Sequence, residues 1–295
     1  MKNKGVIFDI EYAWGALQKI CEASEYIEPI LDIRVLSDDE VGRYLHRGRL
    51  RMDVALKLFQ RSGYFVHLQH FDYRMGFKGA NALMSKTSGH SPEFLIVAHH
   101  DYCAGVGAED NASGLAVLVA LAEALRETSH PVAFASFDLE EIGLFGSKHF
   151  VNCFGSDVSK RFPVVIALDC IGSGKDVVVC KKVWGAESDS ELIDNFQKAA
   201  SRQLGETFTV GSFDYFNSDH VPFAQRGSRT MHITSCDYEA ALAGGDAFTE
   251  DDCRSDGSVA HTKFDIPERI RIENLKKVGE ALCAFIEETK LEHFA

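Results

Sequence analysis

Apolar residues recur at helical spacing from Ser37 to Gln60, with Val41, Leu45 and Val54 among them. This spacing predicts a helix, which Gly63 terminates. The residues that follow, 64–71, alternate between apolar and polar, as in a strand with one covered face. Residues 1–75 are therefore expected to form an N-terminal helical part and the first strand.

Short apolar runs come next, at Ala82–Met84, Phe94–Ala98, Val132–Phe137, Val164–Leu168 and Thr230–Ile233, and they predict strands. The continuous apolar character of Phe94–Ala98 indicates a strand covered on both faces, and Val132–Phe137 and Val164–Leu168 are also expected to be buried. Helices are expected at Leu115–Leu125, from a capping box of Ser188 and Glu191 to Leu204, and from Pro267, with Asp265 as its cap, to Thr289.

Strands that alternate with helices predict an α/β fold with a central, mostly parallel or mixed β-sheet and helices on both faces. No linker interrupts the chain, so a single domain over residues 1–295 is expected, and residues 76–295 carry all the motifs discussed below. The longest stretch without a clear element, Cys236–Ala260, contains two glycines and several acidic residues. A loop of this length is more often functional than accidental.

The composition narrows the class of protein. The 295 residues are 45% hydrophobic and 25% charged, and their formal net charge is −13. This charge argues against nucleic acid or an anionic membrane as the main partner. No run of 18 apolar residues is present, and Asp9 and Glu11 interrupt the segment where a signal peptide would be apolar. A cytoplasmic protein with free, mostly buried thiols is expected.

Potential metal ligands gather directly beyond the predicted strands and before the Leu115 helix. They are His99, His100, Asp101, Asp110, Asp138, Glu140, Glu141 and Asp169. In open α/β sheets ligands bind beyond the carboxyl ends of the strands. Carboxylates that meet at one edge would repel each other unless a cation lies between them. Zinc takes His nitrogen and carboxylate oxygen, and one carboxylate can bridge two metals. None of these candidates is a cysteine, which argues against a closed structural zinc site.

Six motifs resemble, in order, those of the zinc exopeptidase family that includes bacterial leucyl aminopeptidases, glutamate carboxypeptidase and glutaminyl cyclase. They are VAHHD at 97–101, GAEDNASG at 107–114, DLEEIGLFGS at 138–147, LDCIG at 168–172, SDHVPF at 218–223, and HT at 261–262 followed by Asp265. The resemblance implies a zinc-peptidase-like fold and two Zn²⁺ per chain. His99, Asp110 and Asp169 would hold one zinc, and Asp110, Glu141 and His261 the other, with Asp110 bridging.

The same resemblance implies that Glu140 is the general base, which takes a proton from a water bridging the zincs. Adjacent side chains in an extended segment point to different sides, so Glu140 and Glu141 can take different roles. Asp101 is expected on the same side as His99, whose ring it would orient. His100 should point the other way and be structural.

His232 also follows a strand, but only His261 has the closing motif, so His261 is the preferred ligand.

Four more residues are expected in the substrate-binding part of the site. Asp219 and His220 are expected to shape its wall, and the alternative role for both is helix capping. Some relatives have a tyrosine before the final histidine, where this chain has Ala260. Stabilisation of the oxyanion would then fall to Tyr215, Tyr238 or the metals alone.

The favoured function is an aminopeptidase acting on peptides with a free amino terminus. A glutaminyl cyclase-like acyltransferase and a carboxypeptidase are alternatives on the same fold. A carboxypeptidase would need a cationic clamp, and no Arg cluster lies near the motifs. A catalytically silent binding module is a further alternative, although every expected ligand is present.

Overall fold

The computed structural model describes residues 6–30, 36–74, 76–86, 92–244 and 254–289. In these ranges nine strands form one sheet: β1 Phe65–Arg74, β2 Phe77–Ser85, β3 Phe94–His99, β4 Val132–Phe137, β5 Val164–Leu168, β6 Asp176–Val183, β7 Ala186–Glu187, β8 Thr209–Ser212 and β9 Arg229–Cys236. The α-helices are α1 Ile10–Glu22, α2 Asp38–Arg61, α3 Gly114–Ala124, α4 Phe145–Phe154, α5 Val158–Arg161, α6 Ser190–Leu204, α7 Val221–Ala224, α8 Tyr238–Gly244 and α9 Ile272–Glu288.

The sheet is mixed, as predicted. Its strand order is β1-β2-β4-β3-β5-β9-β6-β7, and β8 pairs with β6. The central strands β4, β3, β5 and β9 are parallel to one another. Their carboxyl ends therefore meet at one edge of the sheet, where ligands bind in open α/β folds.

Helices cover both faces of the sheet, and the alternation along β3 shows how. Phe94 and Ile96 pack into the core with α1, α2, α3, α6 and α9. Leu95 and Val97 point to the opposite face, toward α4, α5 and α7. Since every residue of β3 is buried, its continuous apolar run is the pattern of a strand covered twice.

Two predicted helix starts are wrong. The cap of α6 is Asp189, whose Oδ1 accepts a hydrogen bond of 2.8 Å from the Leu192 amide, and not the predicted Ser188. A carboxylate at this position satisfies an amide that has no partner within the helix. Pro267–Arg269 forms a 3₁₀ turn, and α9 begins only at Ile272.

The predicted loop Cys236–Ala260 is only partly irregular. Cys236 ends β9 and Tyr238–Gly244 forms α8. Residues 245–253, with most of the acidic side chains of this stretch, lie outside the described residues. Several further elements were not predicted, namely α1, α4, α5, β6, β7 and β8. Within the described ranges, no helix has the length and apolar character required to cross a membrane.

The start of α4 offers a test of close packing beneath the ligand edge. A Cβ on Gly146 would overlap the Asp138 carbonyl oxygen and Asn81 Oδ1. We expect Gly146→Ala to lower the free energy of unfolding by about 1–3 kcal/mol, the usual cost of overpacking. Gly15→Ala in α1 is the control, since no atom of the residues described lies within 4 Å of its added Cβ. That change should raise stability by roughly 0.5–1 kcal/mol. Urea denaturation measures both, and equal effects would contradict the packing described.

Candidate metal centre

The first group of ligand atoms lies where β3 and β5 end. His99 is the last residue of β3, and Asp169 follows β5 directly. His99 Nε2 lies 3.2 Å from Asp169 Oδ1 and 3.0 Å from Asp110 Oδ1. Burial opposes a charge on His99, but Asp169 and the carboxylates bonded to the ring raise its pKa well above the usual value. These three side chains form the first donor set.

The second group is built around the loop that carries His261. Its Nε2 lies 2.9 Å from Glu141 Oε2 and 3.2 Å from Asp110 Oδ2. His261, Glu141 and Asp110 form the second donor set. Asp110 belongs to both sets and directs one carboxylate oxygen at each imidazole. Burial favours protonation of Asp110, but its hydrogen bonds with His261 and His99 outweigh it and lower its pKa well below the usual range. The geometry matches a carboxylate placed between two cations.

Asp101 ties the first donor set to the loop after β4. His99 Nδ1 lies 3.2 Å from the Asp101 carbonyl oxygen and 3.4 Å from its Oδ1, which leaves Nε2 for the other carboxylates. The Asp101 carboxylate also accepts hydrogen bonds from the amides of Glu140 and Glu141, and from the Tyr44 hydroxyl at 2.7 Å. Asp101 thus orients an imidazole and positions two glutamates at once.

Glu140 and Glu141 lie in a turn, so the premise of an extended segment is wrong. Leu139 has a left-handed φ of 58°, and the amides of Gly143 and Leu144 both bond to the Glu140 carbonyl. Both side chains line the adjoining cavity, and Glu141 also contacts His261 Nε2 through its Oε2 at 2.9 Å. Burial raises the pKa of Glu140 well above the usual value, and neighbouring carboxylates add to this effect against the opposing charge of His99.

Glu109 is a buried carboxylate that holds the His261 loop. Its Oε2 accepts hydrogen bonds from the Val259 amide at 2.7 Å, the Ala260 amide at 3.0 Å and the Ser258 hydroxyl at 3.0 Å. Its Oε1 accepts from the Ser173 amide and hydroxyl. Burial raises its pKa to about 7, although these hydrogen bonds oppose the rise. Sequence reasoning missed this role, because Glu109 occupies a variable position of the GAEDNASG motif.

Asp265 fixes the loop that carries Asp110. Its Oδ1 accepts from the Glu109 amide at 2.5 Å and its Oδ2 from the Asp110 amide at 3.2 Å. The predicted role of Asp265 as a helix cap is therefore wrong. Asp265 belongs to the closing motif because its two hydrogen bonds join the His261 loop to the Asp110 loop.

A cavity of about 310 Å³ opens onto both donor sets. Asp110, Glu140, Glu141, Asp169 and His261 line it. Trp184, Tyr215 and Phe216 also line it and form its aromatic wall, and the polar or small residues of its lining include Arg254, Asp256, Ser258 and Ala260. Apolar walls with a few convergent polar groups are typical of a binding site.

The predicted wall residues differ in position. Tyr215 lines the cavity, whereas Tyr238 packs against Phe213 and does not reach it. Asp219 and His220 are buried behind the wall, not on it. The wall position is taken instead by His232, whose ring lies 4.9 Å from that of His220. His232 belongs to neither donor set.

Cys103 is a further potential ligand, which the sequence motifs did not single out. Its sulfur lies with a Glu141 oxygen and a His261 nitrogen in a group whose atoms are all within 4.8 Å of one another. His100 belongs to neither donor set, and its Nδ1 lies 2.8 Å from the Ser136 hydroxyl. These contacts agree with a structural role.

The chemistry of the donors fits divalent cations. The Glu141 side chain is only 5% exposed, and its Oε1 has no hydrogen-bond partner in the described part of the chain. A buried carboxylate oxygen without a donor is costly, and a cation would satisfy it. Histidine nitrogen with carboxylate oxygen is a ligand set that suits zinc.

The sequence profile of Peptidase family M28 matches residues 82–286, and the chain belongs to this family. Aminopeptidase YwaD of Bacillus subtilis is 28% identical over 209 residues, which are 69% of this chain and 42% of that protein. Leupeptin-inactivating enzyme 1 of Streptomyces exfoliatus is 27% identical over 173 residues, 56% of this chain and 38% of that protein. The match thus covers less than half the length of these curated relatives.

Solved structures confirm the predicted fold. A leucine aminopeptidase precursor from Bacteroides thetaiotaomicron superposes with a TM-score of 0.71 at 18% identity, over 97% of this chain and 99% of that chain. A glutaminyl cyclase from the same organism gives 0.71 at 18% identity, over 96% and 99%. At such identity the likeness shows the fold alone.

The role of Glu109 in holding the His261 loop can be tested by Glu109→Gln. A glutamine NH₂ would face the amides that now donate to Oε2, so the free energy of unfolding should fall by about 2 kcal/mol or more. The control is Glu93→Gln, since Glu93 is 33% exposed and lies 3.4 Å from His130 Nδ1. That partly exposed pair should change stability by about 1 kcal/mol at most. Urea denaturation measures both variants. Equal losses in the free energy of unfolding would argue against a role of Glu109 in holding the His261 loop.

Proposed function

We propose that this chain is a zinc-dependent aminopeptidase that hydrolyses the first residue from peptides with a free amino terminus. The observation that carries the proposal is Asp110, whose two carboxylate oxygens face two different histidines, each with a further carboxylate beside it. Family membership supports the hydrolysis of peptides, because the matched relatives include an aminopeptidase.

Two Zn²⁺ are the proposed cofactors. His99, Asp110 and Asp169 would hold one, and Asp110, Glu141 and His261 the other. Such a pair of ions polarises the scissile carbonyl and makes an attacking water acidic. The hydrogen bonds of Asp101 and Asp265 described above orient the ligands.

Glu140 is the proposed general base. Its backbone is fixed by the hydrogen bond from its amide to Asp101, and it lines the same cavity as the donor sets and the aromatic wall. From this position the carboxylate takes a proton from the attacking water and gives it to the leaving amine. Base and acid roles of this kind need a group within hydrogen-bond reach of the reacting atoms.

Charge selects the end of the peptide. Glu140 and Asp169 line the cavity, and the field of these carboxylates attracts an ammonium group and repels a carboxylate. Arg254 also lines the cavity, but both Nε and Nη2 donate to Asp256, at 3.1 and 2.6 Å. The charge of Arg254 is therefore balanced by Asp256, and Arg254 does not provide the cationic clamp that a carboxypeptidase would need. The aromatic wall suits an apolar first side chain.

Matched changes at neighbouring glutamates separate base from ligand. Glu140→Gln keeps the size of the side chain but removes the proton acceptor, so activity should fall by about 10²–10⁴-fold. Its metal content should stay unchanged. Glu141→Ala should instead lose metal from one site. Elemental analysis beside peptide hydrolysis measures both, and the reverse pattern of metal loss would exchange the two assignments.

The reaction type can be tested with one Leu-initiated peptide in three forms: free at both ends, acetylated at the amino end, and amidated at the carboxyl end. We expect loss of the first residue from the free and amidated forms only, since both present an ammonium group. A chelator should abolish the activity and zinc should restore it.

Other outcomes would overturn the proposal. Loss of the last residue from the acetylated form indicates a carboxypeptidase. A fourth reaction contains a peptide that begins with Gln, and release of ammonia without chain cleavage indicates a glutaminyl cyclase. No reaction from protein that binds metal indicates a binding module. Mass spectrometry of the products distinguishes these cases.

A further inference from the structure

Cys103 lies in the short segment between β3 and the Asp110 loop. It is 6% exposed and packs in a small cluster with Tyr44 and Leu139. Its sulfur is also directed toward the second donor set, where it lies within 4.8 Å of ligand atoms of both Glu141 and His261. Around one zinc, sulfur, nitrogen and oxygen ligands bind at about 2.3, 2.0 and 2.1 Å from the ion. The three atoms are therefore close enough to share one ion after small movements.

A second observation points to a ligand at the same place. Glu141 Oε1 is buried and has no hydrogen-bond partner in the described part of the chain. Glu141 Oε2 already contacts His261, so the carboxylate is held with its other oxygen unpaired. A cation shared with Cys103 would pair it.

We propose that the Cys103 thiolate is a ligand of the second metal, together with Glu141, His261 and Asp110. The inference rests on the proposed two-metal centre. On binding, the sulfur donates an electron pair to the metal and its S–H proton passes to solvent, with no change of oxidation state. The first donor set, His99 with Asp110 and Asp169, offers only nitrogen and oxygen.

This asymmetry makes the two metal positions chemically different. A thiolate favours Zn²⁺ and other soft cations, whereas carboxylate and imidazole accept a wider range. Four protein ligands at the second position against three at the first also predict tighter retention there. The metal that a chelator removes last should therefore be the one beside Cys103.

The experiment replaces zinc by Co²⁺ in the whole chain and records the near-ultraviolet absorption. Cobalt bound to sulfur gives a sulfur-to-metal charge-transfer band, and cobalt bound only to nitrogen and oxygen does not. Cys103→Ser should lose the band. Cys170→Ser is the matched control, because Cys170 follows Asp169 and lines the cavity but belongs to neither donor set. It should keep the band.

Cadmium-113 NMR of the wild-type chain gives a second measurement that needs no variant to fold. One of its two resonances should lie in the range of sulfur-ligated cadmium and the other in the range of nitrogen and oxygen ligands. Two bound metals with no sulfur signature in either spectrum, or a band lost only in Cys170→Ser, would overturn the inference and leave the proposed function intact. Failure to bind any metal would overturn both.

Discussion

The repulsion among buried carboxylates around Asp110 is the constraint on which the rest of the structure depends. Asp110, Glu141 and Asp169 converge beside the imidazoles of His99 and His261. The imidazoles offset part of this negative charge, in keeping with the low pKa of Asp110 and the high pKa of His99. Glu141 Oε1, which has no hydrogen-bond partner among the described residues, marks the part that they do not offset. A centre with this excess of acceptors is built for cations.

The chain holds these mutually repelling groups in place with one repeated device. A buried carboxylate on one loop accepts hydrogen bonds from backbone amides of another. Asp101 binds the amides of 140 and 141, Asp265 those of 109 and 110, and Glu109 those of 259 and 260. Charge-assisted bonds of this kind are stronger than neutral ones. Since the ligands come from separate loops, the bonds between loops set their mutual distances.

The aromatic wall of the cavity comes from segments other than those that carry the metal-ligand candidates. Trp184, Tyr215 and Phe216 lie on the segments around β6 and α7, and the amide of Trp184 bonds to the Phe216 carbonyl at 3.0 Å. These residues do not belong to any ligand motif. One fold can host different activities, and the glutaminyl cyclase and aminopeptidase structures that share this fold differ in the function that their names state.

The sequence by itself determined the parts of the protein that depend on local pattern. Continuous apolar runs predicted β4 and β5 at their observed bounds, because burial on both faces leaves no room for polar side chains. The six motifs identified the family, and their positions after the strands predicted which side chains gather at one edge. Only the tertiary structure placed Cys103 beside Glu141 and His261, and His232 on the wall in place of Asp219. These contacts join residues far apart in the chain and depend on loop conformations, such as the left-handed turn at Leu139, that no periodicity encodes.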